Sequence, residues 1–319
     1  MLDILAITGP IYLCILAGYA TTRAGLFAPA DMRVFGKFVI NLALPALLFN
    51  ALSQRTVAEI FNGPYLLAYT LANLAVLTIG FVWMRFGQRS SMSLAGTVAM
   101  GMTCPNSGFV GYPVALLTLG ASTAGVSLAL NMVVENLLII PLLLALTDLD
   151  GDGQGDWRRS VAQALKGVLR NPMIIAIVAG TLVSLAGLAL PSALSRTVTL
   201  FAQASGALSL FVIGGSLVGL KAPSGTGGQI VGIALGKLVL HPLLMLGLLW
   251  WVVPVADPAL RQALVLTCAL PMFGIYAILA QRHGHAGLAS AALLVTTLAA
   301  FFSLSGLLWL LQHGSGWLG

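Results

Sequence analysis

Cys104-Pro-Asn-Ser-Gly-Phe-Val-Gly-Tyr-Pro113 and Leu270-Pro-Met-Phe-Gly274 are the two stretches on which the fold turns. Each places a proline, followed three residues later by a glycine, deep in an apolar run long enough to cross a bilayer. Such a proline removes one backbone hydrogen bond and crowds the preceding turn, while glycine lets the chain unwind. Unwound backbone in hydrocarbon survives only where it lines a cavity or meets other protein. Two breaks that cross each other meet that condition, so residues 103–111 and 270–276 are expected to form a crossing pair of broken helices.

The surrounding sequence makes the bilayer the solvent. Of 319 residues, 59% are hydrophobic and only 8% charged, and the mean hydropathy is +0.99. That leaves too little polar surface for a water-soluble globule and argues against a soluble catalytic module. A spanning helix uses roughly 20 apolar residues. Apolar runs fall at 4–22, 34–53, 64–85, 92–119, 123–146, 170–189, 197–220, 229–253, 260–281 and 287–311, which predicts about ten spans, all helical. The first run has Asp3 and no Lys or Arg before it, so it reads as a span and not as a cleaved signal peptide. Cys14, Cys104 and Cys268 sit at unrelated spacings and suggest neither a disulfide framework nor a metal site.

The net charge of +6 would suggest nucleic acid in a soluble protein, but here it is distributed over short loops. Arg23, Arg33, Lys37, Arg85, Arg89, Arg158, Arg159, Lys166, Arg170, Lys221 and Arg282 flank odd-numbered loops, against Arg55, Arg196 and Arg261 on the others. The positive-inside rule then puts the odd loops in the cytoplasm and both termini on the far side. The two breaks each fall in the fourth run of a half, so residues 1–146 and 170–319 read as two inverted five-helix repeats, the arrangement of alternating-access carriers. The linker at 147–169 carries Trp157, Val161, Leu165 and Val168 at helical spacing. It is either an interfacial amphipathic helix or an ordinary basic juxtamembrane segment. Asp148, Asp150, Asp152 and Asp156 imitate the start of a calcium loop, but Arg159 stands where a bidentate Glu is needed, so a solvated acidic turn is the better reading. No second acidic cluster accompanies it, which counts against a prenyl transferase-type enzyme.

Half-helix N-termini at a crossing offer positive dipole ends and N–H groups, which favour an anion such as a carboxylate. Thr103, Pro105, Asn106, Ser107 and Tyr112 from the first break, and Pro271, Gly274 and Tyr276 from the second, are the candidate substrate residues. Asn41 beside Pro45 and His241 join them. Pro45 is read as a third break, with Gly206, Gly214 and Gly215 of the seventh run as its counterpart. Ionisable residues inside spans are functional hypotheses by default. Glu135 lies near the middle of the fifth run, with Asn131 one turn earlier. Burial favours the protonated form of a carboxyl, which makes Glu135 the candidate proton carrier. Lys237 and His241 share a face of the eighth run and either bind a carboxylate directly or pair with Glu135. In the alternative, Lys237 snorkels to the interface and His241 bonds a carbonyl freed by Pro242.

These residues resemble the auxin efflux carrier family in its bacterial branch, which includes malonate and malate carriers. The resemblance runs nearly end to end. It rests on Asn41-Leu-Ala-Leu-Pro45, Asn106-Ser-Gly-Phe-Val-Gly-Tyr-Pro113, Arg170-Asn-Pro172, Gly214-Gly-Ser-Leu217, Lys237-Leu-Val-Leu-His-Pro242 and Leu270-Pro271. It implies a ten-helix inverted repeat with a scaffold and a crossover domain, similar to bile-acid transporters and sodium/proton antiporters. The family's crossover site maps onto Pro105, Asn106 and Pro271, and organic anions are the implied substrates. The second break departs from a symmetric site, because Pro271-Met-Phe-Gly274 is apolar where the first break is polar.

The combined expectation is a multi-pass protein of the bacterial cytoplasmic membrane that carries small organic anions, malonate or another dicarboxylate, by alternating access. The proton is preferred to sodium as coupling ion, no cofactor or metal is called for, and a homodimer is what similar folds suggest. An uncoupled anion channel or facilitator is the alternative.

Overall fold

In lipid every backbone N–H and C=O needs a partner within the protein, and a helix provides one inside its own segment. The computed structural model follows that rule, and the named elements among its described residues, which are 2–55, 62–147, 162, 166–219, 225–281 and 283–313, are all helices. The acidic turn at 148–156, the stretch carrying Trp157, Arg158, Arg159, Val161 and Leu165, and Lys221 and Arg282 lie outside them.

In chain order the helices are α1 (Leu2–Arg23), α2 (Pro29–Ser53), α3 (Gly63–Gly87), α4 (Met92–Thr103), α5 (Ser107–Thr147) and α6 (Pro172–Leu185). There follow α7 (Ser192–Ser216), α8 (Gly227–Trp251), α9 (Pro258–Cys268), α10 (Tyr276–Gln281) and α11 (Ala286–His313). Among the described residues, α2, α3, α5, α7, α8 and α11 are long and apolar enough to cross a membrane. Exposed apolar side chains such as Leu16, Val178, Leu243 and Phe302 suit a lipid-facing surface. The chain is an integral membrane protein.

Local sequence sets the helix ends. Ser91, Asn171 and Asp257 cap α4, α6 and α9, each accepting from a backbone N–H of the first turn, and Pro172 and Pro258 occupy first positions that need no donor. Gly25 closes α1 at φ +82. Its neighbour Leu26 donates back to the Thr21 carbonyl at 3.0 Å, the bond that satisfies a helix C-terminus.

Proline acts differently from the expectation at one place and as expected at two. The breaks after Thr103 and after Cys268 are real interruptions, but α2 runs through Pro45 without stopping. The reason is a π turn at Val39–Ala43. Further π turns at Ser107–Gly111, Glu135–Ile139 and Gly236–Leu240 likewise end two residues before Pro113, Pro141 and Pro242. A proline ring clashes with the carbonyl four residues earlier, and one extra residue in the turn moves that carbonyl aside. A fifth π turn, Trp83–Gly87, closes α3 with no proline behind it. Nor do Gly206, Gly214 and Gly215 interrupt α7, which is helical from Ser192 to Ser216.

The helices gather into two compact units that each draw on both halves of the sequence. The first comprises Met1–Gly63, Ser107–Met132 and Leu169–Gly219. Its core joins Leu44, Leu48 and Leu52 of α2 to Leu128 of α5 and Ile177 of α6. Here α1 and α7 lie backbone to backbone: a Cβ at Gly18 would strike the Phe211 carbonyl, and one at Gly214 the Ile15 carbonyl. Within this unit α5 kinks at Gly120, whose φ of +83 is open to glycine. The second unit comprises Pro64–Asn106, Val133–Val168 and Leu220–Gly319 and contains the crossing described next.

Candidate functional site

Each broken helix supplies what the other lacks. Past Thr103 the chain extends through Cys104, Pro105 and Asn106, and past Ala269 it extends through Pro271, Met272 and Phe273. The two extended pieces form an antiparallel bridge at Pro105 and Met272. Asn106 N donates to the Pro271 carbonyl at 2.8 Å, and Phe273 N donates to the Cys104 carbonyl at 3.2 Å. The prolines cannot donate, so the pairing uses the N–H on one side of each break and the C=O on the other. This is the crossing pair expected from the matched Pro-x-x-Gly spacing.

Lys237 lies behind the crossing. The π turn Gly236–Leu240 places it on the buried face of α8, and it is 0% exposed. Its Nζ donates to the Thr103 carbonyl at 3.3 Å and to the Cys268 carbonyl at 3.2 Å, and lies 2.8 Å from His241 Nδ1. Thr103 and Cys268 are the last residues of α4 and α9, so one ammonium meets the negative dipole ends of both helices that stop at the crossing. Lys237 therefore does not snorkel. His241 is also 0% exposed. Its Nε2 has no partner among the described residues, so the ring does not bond a carbonyl freed by Pro242.

Glu135 opens the π turn Glu135–Ile139 and is 5% exposed. Tyr69 of α3 donates its hydroxyl to Glu135 Oε1 at 2.7 Å. Tyr69 was not legible as a site residue from spacing alone. The available signal was the Tyr65/Tyr69 pair in an otherwise apolar run, since a buried tyrosine needs a partner for its hydroxyl.

The remaining candidates divide between the units. Thr103, Pro105, Asn106, Pro271, Gly274, Tyr276, His241, Lys237 and Glu135 belong to the second unit, and Asn41, Ser107 and Tyr112 to the first. Thr103 and Asn106 are buried beside the crossing, and Thr103 Oγ1 has no partner among the described residues. Tyr276 is fully buried and donates to the Thr97 carbonyl at 2.9 Å. It lies so close to Gly101 that a Cβ there would meet its hydroxyl at 2.7 Å, so its visible task is to lock the second break onto α4. Gly274 is exposed. Asn41 is exposed too, and its Nδ2 donates to the Lys37 carbonyl of its own helix at 2.7 Å. In the first unit, the Ser209 hydroxyl is shared between the Gly206 carbonyl of its own helix at 2.9 Å and the Phe109 carbonyl at 3.0 Å, to which Pro113, four residues on, cannot donate. No group of three or more His, Cys, Asp or Glu among the described residues is placed to hold a metal.

With crossing, buried cation and buried carboxyl in place, comparison with known sequences adds the family. The model of the family described as "Membrane transport protein" matches residues 8–308. The chain belongs to this family. It is the auxin efflux carrier family that the motifs resemble. Among curated members, a protein of Rhizobium meliloti (strain 1021) named "Putative malonate transporter" is 29% identical over 99% of this chain and 98% of its own length. "Uncharacterized transporter YfdV" of Escherichia coli (strain K12) is 29% identical over 74% of this chain and 75% of its own. "Auxin efflux carrier component 7" of Arabidopsis thaliana is 26% identical over 44% of this chain and 23% of its own. These members are named as transporters or carriers, and none as an enzyme.

Proposed function

We propose that this membrane transport family member is a secondary carrier of small organic anions, malonate or a similar dicarboxylate, coupled to protons. The observation that carries the reading is the crossing of Cys104–Pro105–Asn106 with Pro271–Met272–Phe273 over a buried lysine. Broken helices that pair at their breaks hold irregular backbone inside a membrane protein, as carrier sites require. Asn106 and Thr103 supply side-chain recognition, with Ser107 and Tyr112 following in the chain. The apolar second break contributes backbone and shape.

Proton coupling is supported by two features of the second unit. Glu135 is buried against the Tyr69 hydroxyl, where a carboxyl can take up and release a proton during a cycle. Lys237 already occupies the carbonyl oxygens of Thr103 and Cys268, the kind of ligand sodium would seek. In this reading the helices form ten spans in two inverted repeats, residues 1–146 and 170–319 around a linker at 147–169. The chain lies in the bacterial cytoplasmic membrane, both termini on its outer side, and pairs as a homodimer. The elevator-like or rocking motion of the family alternates access.

The test is uptake of labelled mono- and dicarboxylates by purified protein in proteoliposomes under imposed proton or sodium gradients. Saturable malonate uptake that follows the proton gradient is the expected result. Failure of every carboxylate to move would remove the substrate class, and unsaturable currents would favour a channel.

A further inference from the structure

The two compact units differ in how they treat buried polar side chains. In the first, Ser127, Thr181, Ser205 and Ser209 each donate to a backbone carbonyl of that unit. In the second, Asn73 Oδ1, Thr97 Oγ1, Thr103 Oγ1 and His241 Nε2 have no partner among the described residues, and the four side chains are 0–1% exposed. They stand around the crossing. Thr103 and His241 both meet the Lys237 ammonium, one through its carbonyl and the other through Nδ1. The Thr97 carbonyl takes the Tyr276 hydroxyl, and Asn73 donates to the carbonyl of Tyr69, whose hydroxyl holds Glu135. A buried polar atom left unmatched forfeits its hydration and gains nothing in return, and bilayer hydrocarbon offers no substitute.

We propose that these four atoms are served by water bound in the core of the second unit, one molecule of which accepts from His241 Nε2–H. The use of that water rests on the proton-coupled reading above: a buried carboxyl that trades a proton needs water within reach, and Asn73 is one turn from the tyrosine that holds Glu135. The four atoms ask for different things. Nδ1 accepts from an ammonium, so Nε2–H is a donor, whereas Asn73 Oδ1 is an acceptor and the two hydroxyls can be either. A carboxylate cannot donate to Asn73 Oδ1. A metal cation cannot accept from Nε2–H and is repelled by the Lys237 charge. Water both donates and accepts, and it is small enough to sit among fully buried side chains, where it makes about three hydrogen bonds.

Magic-angle-spinning NMR of the full-length, 15N-histidine-labelled protein in lipid bilayers reads the site without transport. The His241 ring is assigned by the loss of its resonances in His241→Gln or, where that variant does not fold, by the contact of Nδ1 with the Lys237 side chain. A neutral ring protonated at Nε2, with a dipolar cross-peak from Nε2–H to water, is the expected result. A ring protonated at Nδ1 instead, or an Nε2–H with no water cross-peak, overturns the proposal. Thr97→Val exchanges a hydroxyl for a methyl of the same shape and supplies a sign. In a dry core it removes an unmatched hydroxyl and the melting temperature rises, whereas with water bound there it strands that water and the melting temperature falls by a few degrees. A rise, or no change, overturns the proposal. Water at His241 in a protein whose uptake ignores the proton gradient would overturn the coupling and leave the site standing, whereas proton-driven uptake with a dry His241 does the reverse.

Discussion

Lys237 Nζ lies 2.8 Å from His241 Nδ1, one turn further along the same helix. An ammonium has donors only, so Nδ1 accepts and the neutral imidazole carries its proton on Nε2. The pair then holds one positive charge where the carbonyl ends of α4 and α9 meet. That charge secures the C-termini of both broken helices, which links a single side chain to the stability of the crossing.

Lys237→Met keeps most of the stem and removes the charge. It leaves the Thr103 and Cys268 carbonyls without the ammonium donor, at a cost of about 1–3 kcal/mol for each buried group left unmatched. Transport is expected to be lost and thermal stability in detergent to fall. Wild-type uptake by the Met variant would show that the cation is dispensable.

Glu135→Gln preserves shape and can still accept from Tyr69, but it cannot exchange a proton. Uptake measured from acid to alkaline pH is expected to lose its pH dependence as well as most of its rate. Tyr69→Phe removes one hydrogen bond, worth about 1 kcal/mol, and should shift the same profile without flattening it. An unaltered profile in Glu135→Gln would take the residue out of the coupling mechanism.

Asn106→Ala leaves the backbone bond to Pro271 in place and deletes only the side chain. A rise in KM of about tenfold with intact folding is expected, the order of one lost hydrogen bond to a charged ligand. Concentration series in proteoliposomes give the number directly, and an unchanged KM would exclude the Asn106 side chain from recognition.

A double-mutant cycle isolates the helper of Pro113. Ser209→Ala removes the hydroxyl shared between the Gly206 carbonyl and the Phe109 carbonyl, and should destabilise by about 1 kcal/mol. In a Pro113→Ala background the new N–H can serve the Phe109 carbonyl, so the same change should cost less. Equal costs in both backgrounds would mean that the Ser209 hydroxyl does not compensate for the proline.

Gly214→Leu and Gly18→Val insert side chains where backbone carbonyls of the facing helix already lie. Both are expected to reduce folded yield sharply, read by fluorescence-detected gel filtration. Gly206→Ala, on the same helix as Gly214 but facing open space, is the matched control and should leave the yield unchanged.

The crossing was legible because two prolines with the same onward spacing can be compared without a structure. Lys237 and Glu135 were legible because charge is rare in such runs. What spacing does not carry is the partner. Tyr69 comes from a different run, and the Thr103 and Cys268 groups that meet Lys237 are backbone, which has no letter in the sequence. Pro45 was read as a break because a lone proline does not say whether the helix will part or widen. The glycines of α7 were read as the counterpart of that break, whereas Gly214 and Gly215 serve close packing, a distinction that depends on the facing helix. The interleaving of the two units is likewise a matter of which faces meet.

The π turns have a consequence for how such a chain can change over generations. Each is a helix carrying one residue more than its hydrogen bonding requires, retained in four cases beside a proline. A π turn spends one residue more than an α-turn on about the same rotation, so losing one residue from Glu135–Ile139 would let the segment relax into an ordinary α-turn while the flanking faces keep their directions. Such a deletion would leave hydropathy and helix content almost untouched while returning a carbonyl to the path of the Pro141 ring. In this protein a single-residue deletion at these four places is therefore tied to the proline beside it, and aligned relatives that lack the residue should lack the proline too.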